Sequence, residues 1–198
     1  MLKLEHIEKS FGEKRVLSDV SLWVPDGTAA SLSGMSGSGK TTLLRIAAGL
    51  ARPDAGSVRA DGRTAVVFAE PRLFDGVSVL ENVTCVMSGT KKENEKRAEA
   101  LLDALELAGT ARLRPRELST GMAARVSLAR ALAYEADLYL LDEPFKSLDE
   151  TLKRRVMAYL SSCFQGKTVL FITHDASEQA FLSARRFHLS DGVLSELS

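Results

Sequence analysis

The chain has 198 residues and balances 26 lysines and arginines against 26 aspartates and glutamates, giving a formal net charge of zero. This length suits one α/β domain, and the charge balance creates no overall field to attract nucleic acid, which we do not expect as a partner. No stretch approaches the roughly 18 apolar residues of a membrane helix, and the early acidic residue Glu5 argues against a signal peptide. Cys85 and Cys163 lie in no metal-ligand spacing, so we expect reduced, buried or half-buried thiols.

Antiparallel strands are predicted near both ends of the chain. Residues 2–24 are expected to form short strands, because apolar side chains alternate with their neighbours along the last part of this stretch. Asp61-Gly62 and Asp191-Gly192 are turn signals that each predict a β-hairpin. The first hairpin would join residues 57–59 to residues 65–68.

Helices are predicted in the middle of the chain from their starting residues. Thr90-Lys91-Lys92-Glu93 fits a capping box, and the apolar residues that follow at helical spacing lead to a stop at Gly109. Ser119 opens a second helix. Ser147-Leu148-Asp149-Glu150 is another capping-box pattern, which predicts a helix that runs to about Cys163.

Two short apolar runs lie between these helices, at residues 138–141 and 168–173. Continuous apolar runs are typical of central parallel strands that are covered on both faces. The sequence therefore predicts an α/β fold with a mainly parallel sheet.

Residues 34–41 fit the phosphate-binding pattern G-x-x-x-x-G-K-[ST], with an apolar strand before them and an apolar helix after them. Glycines let successive backbone N–H groups point at phosphate oxygens, and the helix start adds positive potential. We expect Lys40 to reach the β- and γ-phosphates of a nucleotide, and the Thr41 hydroxyl to bind Mg²⁺. The predicted phosphate-binding residues are Gly34, Met35, Ser36, Gly37, Ser38, Gly39, Lys40, Thr41 and Thr42.

An acidic pair, Asp142-Glu143, follows the apolar run at residues 138–141. A carboxylate at the end of a buried strand can hold Mg²⁺ through water, and the adjacent carboxylate can orient or deprotonate an attacking water. Because the pair lies downstream of a phosphate loop, we expect Asp142 to act on the metal and Glu143 to act as the catalytic base.

The segment Leu118-Ser119-Thr120-Gly121-Met122 and the ten residues after it resemble the signature segment of ABC ATPases, placed before the Asp142-Glu143 strand as in that family. The resemblance covers essentially the whole chain. It implies a P-loop NTPase, RecA-like core with a mainly parallel sheet, an antiparallel β subdomain and a small helical subdomain. It also implies a single ABC ATPase domain over residues 1–198, with the helical subdomain at about residues 71–135 and the remainder at about 1–70 and 136–198.

The same resemblance assigns further site residues. Phe11 stands where the family has an aromatic side chain that stacks on adenine, with Val16 beside it. Asp149 lies in a segment similar to the D-loop, and His174 matches the switch histidine that contacts the γ-phosphate.

In the family, the signature faces a γ-phosphate that is held by a second ATPase subunit. The resemblance therefore implies that Ser119 and Gly121 act on the nucleotide of the opposite subunit. It also implies ATP and Mg²⁺ as cofactors, a homodimer or heterodimer of ATPase domains, and integral membrane permease subunits as partners. The expected location is cytoplasmic, peripheral on the inner face of the cell membrane.

Two departures from the family pattern are present in a chain that we expect to be an active enzyme: the first predicts weaker coupling or slower hydrolysis, and the second predicts a lower affinity of the ATP-bridged pair of subunits. Ala69 stands where the family has a glutamine that touches Mg²⁺ and the attacking water, and alanine offers no donor or acceptor. In the signature, Thr120 replaces a glycine and Met122 replaces a glutamine. A left-handed backbone at Thr120 would be unfavourable, and the sequence leaves its conformation open.

The resemblance also bears on the class of transporter. The segment at residues 67–83 looks like that of ATPases from nitrate, sulfonate and taurine-type importers. Two other functions stay open: a catalytically weakened partner in a heterodimer, and an ABC ATPase outside transport. The second is disfavoured because the interval from the phosphate loop to the signature is short and no second phosphate loop follows.

Overall fold

The computed structural model describes residues 1–181 and 185–197. Its strands are β1 (Leu2–Phe11), β2 (Lys14–Val24), β3 (Ala29–Ser33), β4 (Ala55–Ala60), β5 (Thr64–Val67), β6 (Leu138–Asp142), β7 (Thr168–Ile172), β8 (Arg185–Ser190) and β9 (Val193–Leu197). Its helices are α1 (Lys40–Ala47), α2 (Val79–Thr84), α3 (Lys91–Ala104), α4 (Thr120–Ala133), α5 (Glu150–Cys163) and α6 (Ala176–Phe181), with a 3₁₀ turn at Pro115–Glu117.

An antiparallel sheet of order β2-β1-β4 opens the chain. The prediction of short strands was wrong, because β1 and β2 have 10 and 11 residues and the register shifts at bulges between Leu4 and Ser10. Apolar side chains such as Leu4 and Leu22, which face each other across the pair, are buried on one side of this sheet. Each strand therefore continues beyond the stretch in which apolar and polar side chains alternate regularly, because each bulge shifts which side chains face the buried side.

The second sheet has the order β5-β6-β7-β3-β8-β9. Strands β6, β7, β3 and β8 run parallel, and β6 and β7 are buried along their whole length. The predictions of central parallel strands and of a hairpin at Asp191-Gly192 are confirmed, since β8 pairs antiparallel with β9. The α/β fold with a mainly parallel sheet and a separate antiparallel sheet is also confirmed.

The hairpin predicted at Asp61-Gly62 is wrong, because β4 lies in the antiparallel sheet and β5 lies beside β6 in the other sheet. Asp137 explains the turn: its Oδ2 atom accepts the Arg63 N–H at 2.8 Å. A Cβ atom at Gly62 would lie 2.5 Å from that same oxygen. The Asp-Gly pair thus forms the tight turn at which the chain passes from one sheet to the other, and the contact with Asp137 determines the conformation of that turn.

Helices α3 and α4 begin where the sequence predicts. Thr90 and Glu93 form the reciprocal capping box of α3, and the Ser119 hydroxyl caps α4 by accepting the Met122 N–H at 3.2 Å. The predicted stop of α3 at Gly109 was wrong, because the helix ends at Ala104. Glu106 has a left-handed φ of 56°, which turns the chain out of the helix before Gly109 is reached.

Helix α5 begins two residues later than a Ser147 cap would require. The Asp149 Oδ1 atom accepts the Leu152 N–H at 3.0 Å, so Asp149 is the capping residue and the Ser147 assignment was wrong. The helix ends at Cys163 as predicted. Cys85 and Cys163 are free thiols, but Cys85 is exposed rather than buried.

The chain divides into two compact units. The first comprises Met1–Val66, Asp137–Glu143 and Phe164–Ser198, and the second comprises Val67–Ala136 and Pro144–Cys163. The predicted helical subdomain at residues 71–135 falls within the second unit, which also contains α5. Residues 182–184 and 198 of the predicted domain lie outside the described residues. Among residues 1–181 and 185–197, no helix is long and apolar enough to cross a membrane.

Candidate functional site

The carboxyl ends of β3, β6 and β7 meet at one edge of the parallel sheet. The Glu143 N–H donates to the Ile172 carbonyl at 3.0 Å, and the Thr173 N–H donates to the Leu32 carbonyl at 3.2 Å. These bonds join the residues that follow three neighbouring strands. The phosphate-loop pattern, the acidic pair and the switch histidine, which are far apart in sequence, therefore all start from this edge in the first unit.

Glycines shape the loop between β3 and α1. Gly34, Gly37 and Gly39 have φ angles of 144°, 79° and 103°, in the region that other residues rarely adopt. A Cβ atom at Gly34 would lie 2.3 Å from the Leu189 carbonyl oxygen, and one at Gly39 would lie 2.9 Å from a Val16 methyl. The loop is thus wrapped tightly over its neighbours and leads directly into α1, a geometry that turns backbone N–H groups toward an anion.

Lys40 is held by this loop. Its Nζ atom donates to the carbonyl oxygens of Gly34 and Met35, each at 2.7 Å. Burial lowers the pKa of the Lys40 ammonium, and the negative charges of Glu143 and Asp142 oppose that effect. The buried Ser38 hydroxyl has no hydrogen-bond partner among the described residues. A cation and an unsatisfied hydroxyl in a loop of this shape fit the phosphate groups of a nucleotide.

Thr41 and Asp142 form the next pair of the site. The Thr41 hydroxyl donates to Asp142 Oδ2 at 2.9 Å, and Asp142 is only 5% exposed. Burial raises the pKa of the Asp142 carboxyl; Thr41 and Lys40 oppose the shift, and Glu143 adds to it. A desolvated carboxylate beside a hydroxyl oxygen offers hard oxygen ligands, so these residues fit a divalent cation such as Mg²⁺.

Glu143 has a strained backbone with a φ of 46°. Its side chain is 20% exposed, and its Oε1 atom lies 3.5 Å from His174 Nδ1. The His174 side chain is 70% exposed, so it stands out from the edge of the sheet toward solvent. Strained positions of this kind persist where the surrounding structure imposes them, and they are concentrated at functional sites.

A cavity of about 410 Å³ lies beside the phosphate loop, lined by Val16, Ser36 and Gly37 among others. Phe11 ends β1 and pairs with Lys14, which also lines this cavity. The Phe11 ring is 58% exposed, and the Lys9 ammonium lies 5.6 Å from its centroid. The first unit thus has an accessible aromatic ring at the end of β1, next to the start of β2, which lines one side of the cavity. Of the other predicted residues, Met35 is exposed and Thr42 is half-buried on α1.

Ser119, Gly121 and Asp149 belong to the second unit. A Cβ atom at Gly121 would lie 2.6 Å from the Ser147 carbonyl oxygen, so the signature segment packs against the residues that precede α5. Thr120 is the first residue of α4 and has no positive φ, which answers the question that the sequence leaves open. Ser119 and Asp149 each cap a helix, whatever else they do.

Contacts within the second unit hold the segment that contains Ala69. The Arg72 guanidinium lies 4.1 Å from the centroid of the Phe68 ring, and Arg130 donates to the Arg72 carbonyl at 2.7 Å. The sequence assigns Arg130 no role beyond its place in the signature segment. It is one of two arginines in α4, with Arg125, and a charged residue among alanines and leucines is the signal that could have found it.

Thr173 and Glu178 flank the switch histidine and were also missed. Glu178 is a carboxylate with only 5% exposure, and Thr173 Oγ1 donates to its Oε2 atom at 2.5 Å. An acidic residue inside a short helix gives no sequence signal of burial, because most glutamates are solvated.

Residues 17–146 match the family model described as ABC transporter. The chain belongs to the ABC transporter family. An ABC relative from Corynebacterium glutamicum, an aliphatic sulfonates import ATP-binding protein, is 42% identical over 193 residues, covering 95% of this chain and 79% of the relative. A Vibrio cholerae sulfate/thiosulfate import ATP-binding protein is 37% identical over 216 residues, covering 99% of this chain and 57% of the relative.

Solved ABC structures share the whole fold. A dimeric ATP-binding cassette in a post-hydrolysis state, bound to ADP and Pi, superposes with a TM-score of 0.92 at 31% identity, covering 100% of this chain and 99% of the cassette. Family membership and the RecA-like fold inferred from the signature are thereby confirmed. As an ABC ATPase subunit, the chain binds and hydrolyses ATP.

Proposed function

We propose that this chain powers the import of sulfonates or related small oxyanions through membrane permease subunits on other chains. The observation that carries the catalytic part is the meeting of Lys40, Asp142, Glu143 and His174 at one edge of the parallel sheet. The substrate class rests on relatives that are named as import subunits for aliphatic sulfonates and for sulfate or thiosulfate.

In this proposal the loop after β3 grips the triphosphate. Lys40 releases the two loop carbonyls to bind β- and γ-phosphate oxygens, and the unsatisfied Ser38 hydroxyl gains an acceptor. The Thr41 hydroxyl and Asp142 would hold Mg²⁺, because they bring two oxygen atoms together at this edge. When bound, Mg²⁺ neutralises charge on the phosphates. These ligands match the usual pattern of one or two carboxylates completed by substrate phosphates.

Glu143 orients and deprotonates the attacking water, and His174 contacts the γ-phosphate. The distance of 3.5 Å between the two side chains lets one water or phosphate oxygen contact both. Phe11 stacks on adenine with Val16 beside it, supported by the exposed ring and the adjoining cavity.

Ser119, Gly121 and Asp149 act on the nucleotide of a second ATPase subunit. The dimeric form of the solved cassette supports this arrangement. A homodimer and a heterodimer are both compatible with the chain. Its place of action is the inner face of the cell membrane, beside the permease that its import-subunit relatives imply.

A second candidate is a catalytically weakened partner in a heterodimer. Ala69 favours it, because an alanine cannot contact Mg²⁺ or the attacking water. Purification from the native cell separates the candidates: two copies of this chain in the complex contradict the weakened partner, whereas an unlike second ATPase chain supports it if Glu143→Gln leaves the hydrolysis of that complex unchanged.

Phosphate release by the purified chain, alone and with its permease, tests the catalytic assignment. Glu143→Gln is the control, because losing a positioned general base commonly lowers the rate by about 100- to 10,000-fold. A wild-type rate equal to that of Glu143→Gln in both preparations contradicts the role of Glu143.

A further inference from the structure

Thr173 fixes the chain on both sides of His174. Its hydroxyl donates to Glu178 Oε2 at 2.5 Å and accepts the Asp175 N–H at 3.1 Å. The backbone of Thr173 is bonded as well, because its N–H donates to the Leu32 carbonyl. One buried hydroxyl thus joins the residue before His174, the residue after it and the first helical segment beyond.

Glu178 is the carboxyl group that accepts the hydrogen bond from the Thr173 hydroxyl. It is 5% exposed and Thr173 is 3% exposed, so their contact is shielded from water. A separation of 2.5 Å is short for a hydrogen bond between a hydroxyl and a carboxyl oxygen, and its burial limits exchange with water, so the position of Thr173 is well defined.

His174 itself has little packing to hold it. Its side chain is 70% exposed, and a carboxylate oxygen, Glu143 Oε1, lies 3.5 Å from its Nδ1 atom. The direction of the imidazole is therefore determined mainly by the backbone from which it projects. We infer that Thr173 and Glu178 are positioning residues, which hold His174 at the Glu143 edge for ATP hydrolysis; this inference rests on the proposed role of His174.

Thr173→Val tests the inference, because valine keeps the shape and removes the hydroxyl. Displacing a reacting group by about 1 Å can lower the rate about 100-fold, so we expect kcat to fall at least about tenfold. The KM for ATP should stay within about twofold, since the phosphate loop is untouched. Thr173→Ser restores the hydroxyl and should recover most of the rate. Equal rates for the valine and serine variants overturn the inference.

Thr168→Val is the matched control. Thr168 lies at the other end of β7, is buried, and uses its hydroxyl to accept the Gly27 N–H at 3.2 Å. Its loss disturbs the same strand without touching His174, so kcat should not change. Glu178→Gln keeps an acceptor but removes the charge, and should give a smaller fall than Thr173→Val. A fall in kcat for Thr168→Val as large as for Thr173→Val means that strand stability alone is involved, and overturns the inference.

A double-mutant comparison asks whether Thr173 acts through His174. In a His174→Ala background, Thr173→Val should lower kcat no further, because the group that it positions is gone. An equal further fall shows an independent effect and overturns the inference. If His174→Ala alone leaves the rate unchanged, the proposed role of His174 in hydrolysis is contradicted, which is a separate result from a failure of the positioning.

Histidine-selective NMR separates these two failures. The imidazole resonances of His174, assigned with His174→Ala, should shift in Thr173→Val and stay in place in Thr168→Val. This measurement needs no hydrolysis, so it reports positioning even if His174 has no catalytic role. Unchanged His174 resonances in Thr173→Val overturn the inference and leave the proposed function intact.

Discussion

At the scale of single residues, the proposed catalytic edge of the parallel sheet combines backbone strain with buried charge. Glu143 has a left-handed backbone, and Asp142 is a carboxylate buried next to it. Neither feature favours the folded state, and backbone strain and buried charge of this kind are concentrated at functional sites. Removing them should stabilise the protein and abolish its activity.

The strain at Glu143 gives a direct comparison between two inactive variants. Glu143→Gly should have a higher free energy of unfolding than Glu143→Ala by about 1 kcal/mol, because a Cβ atom penalises a φ of 46° and glycine has none. Urea denaturation of both proteins without nucleotide measures the difference. An alanine variant as stable as the glycine variant contradicts the strained conformation.

The buried charge of Asp142 predicts a dependence on pH. Burial raises the pKa of this carboxyl above its value in the unfolded chain, so folding takes up a proton between the two pKa values. The ionised carboxylate therefore costs stability at pH 7, and this cost disappears as the pH falls through the raised pKa. Asp142→Asn should raise the Tm of the nucleotide-free protein at pH 7, with a gain that shrinks on acidification.

Asp137→Asn is the control for this measurement. The Arg63 N–H lowers the pKa of the Asp137 carboxyl, so its charge favours the folded state and the amide should give no gain at pH 7. A Tm for Asp142→Asn that equals or falls below that of the wild type at pH 7 contradicts the assignment.

At the scale of elements, a comparison of two serine caps distinguishes an effect on stability from an effect on ATP hydrolysis. Ser78 caps α2 and Ser119 caps α4, and each accepts a backbone N–H at 3.2 Å. Replacing either by alanine should cost about 1 kcal/mol of stability. Only Ser119→Ala should also lower ATP hydrolysis, because Ser119 is proposed to face a nucleotide. Equal hydrolysis by the two variants leaves Ser119 as a cap alone.

The sequence predicts elements well where the signal is local. The apolar runs of β6 and β7 and the capping box at Thr90 need no distant partner, and they appear as predicted. The turn at Asp61-Gly62 is different, because Asp137 determines it from far along the chain. In the site, the glycine loop and the acidic pair have recognisable spacing. The buried contact between Thr173 and Glu178 depends on tertiary packing and gives no pattern.

At the scale of the whole molecule, the replacement of the expected glutamine by Ala69 should limit turnover. Ala69→Gln should raise the ATPase rate of the complex with its permease, because the amide adds a contact to the metal and the attacking water. Ala69→Leu is the matched control, since it adds bulk without a donor or acceptor. Equal rates for the wild type and Ala69→Gln contradict this explanation.

We expect ATP to be held by the lysine loop of one subunit and covered by the signature of another. Sedimentation of Glu143→Gln with MgATP tests this most directly, because slow hydrolysis preserves the bound nucleotide. We expect a dimer that retains ATP, and a monomer when Lys40→Ala is added. A Glu143→Gln protein that stays monomeric and free of nucleotide, even in the presence of its permease, contradicts the account.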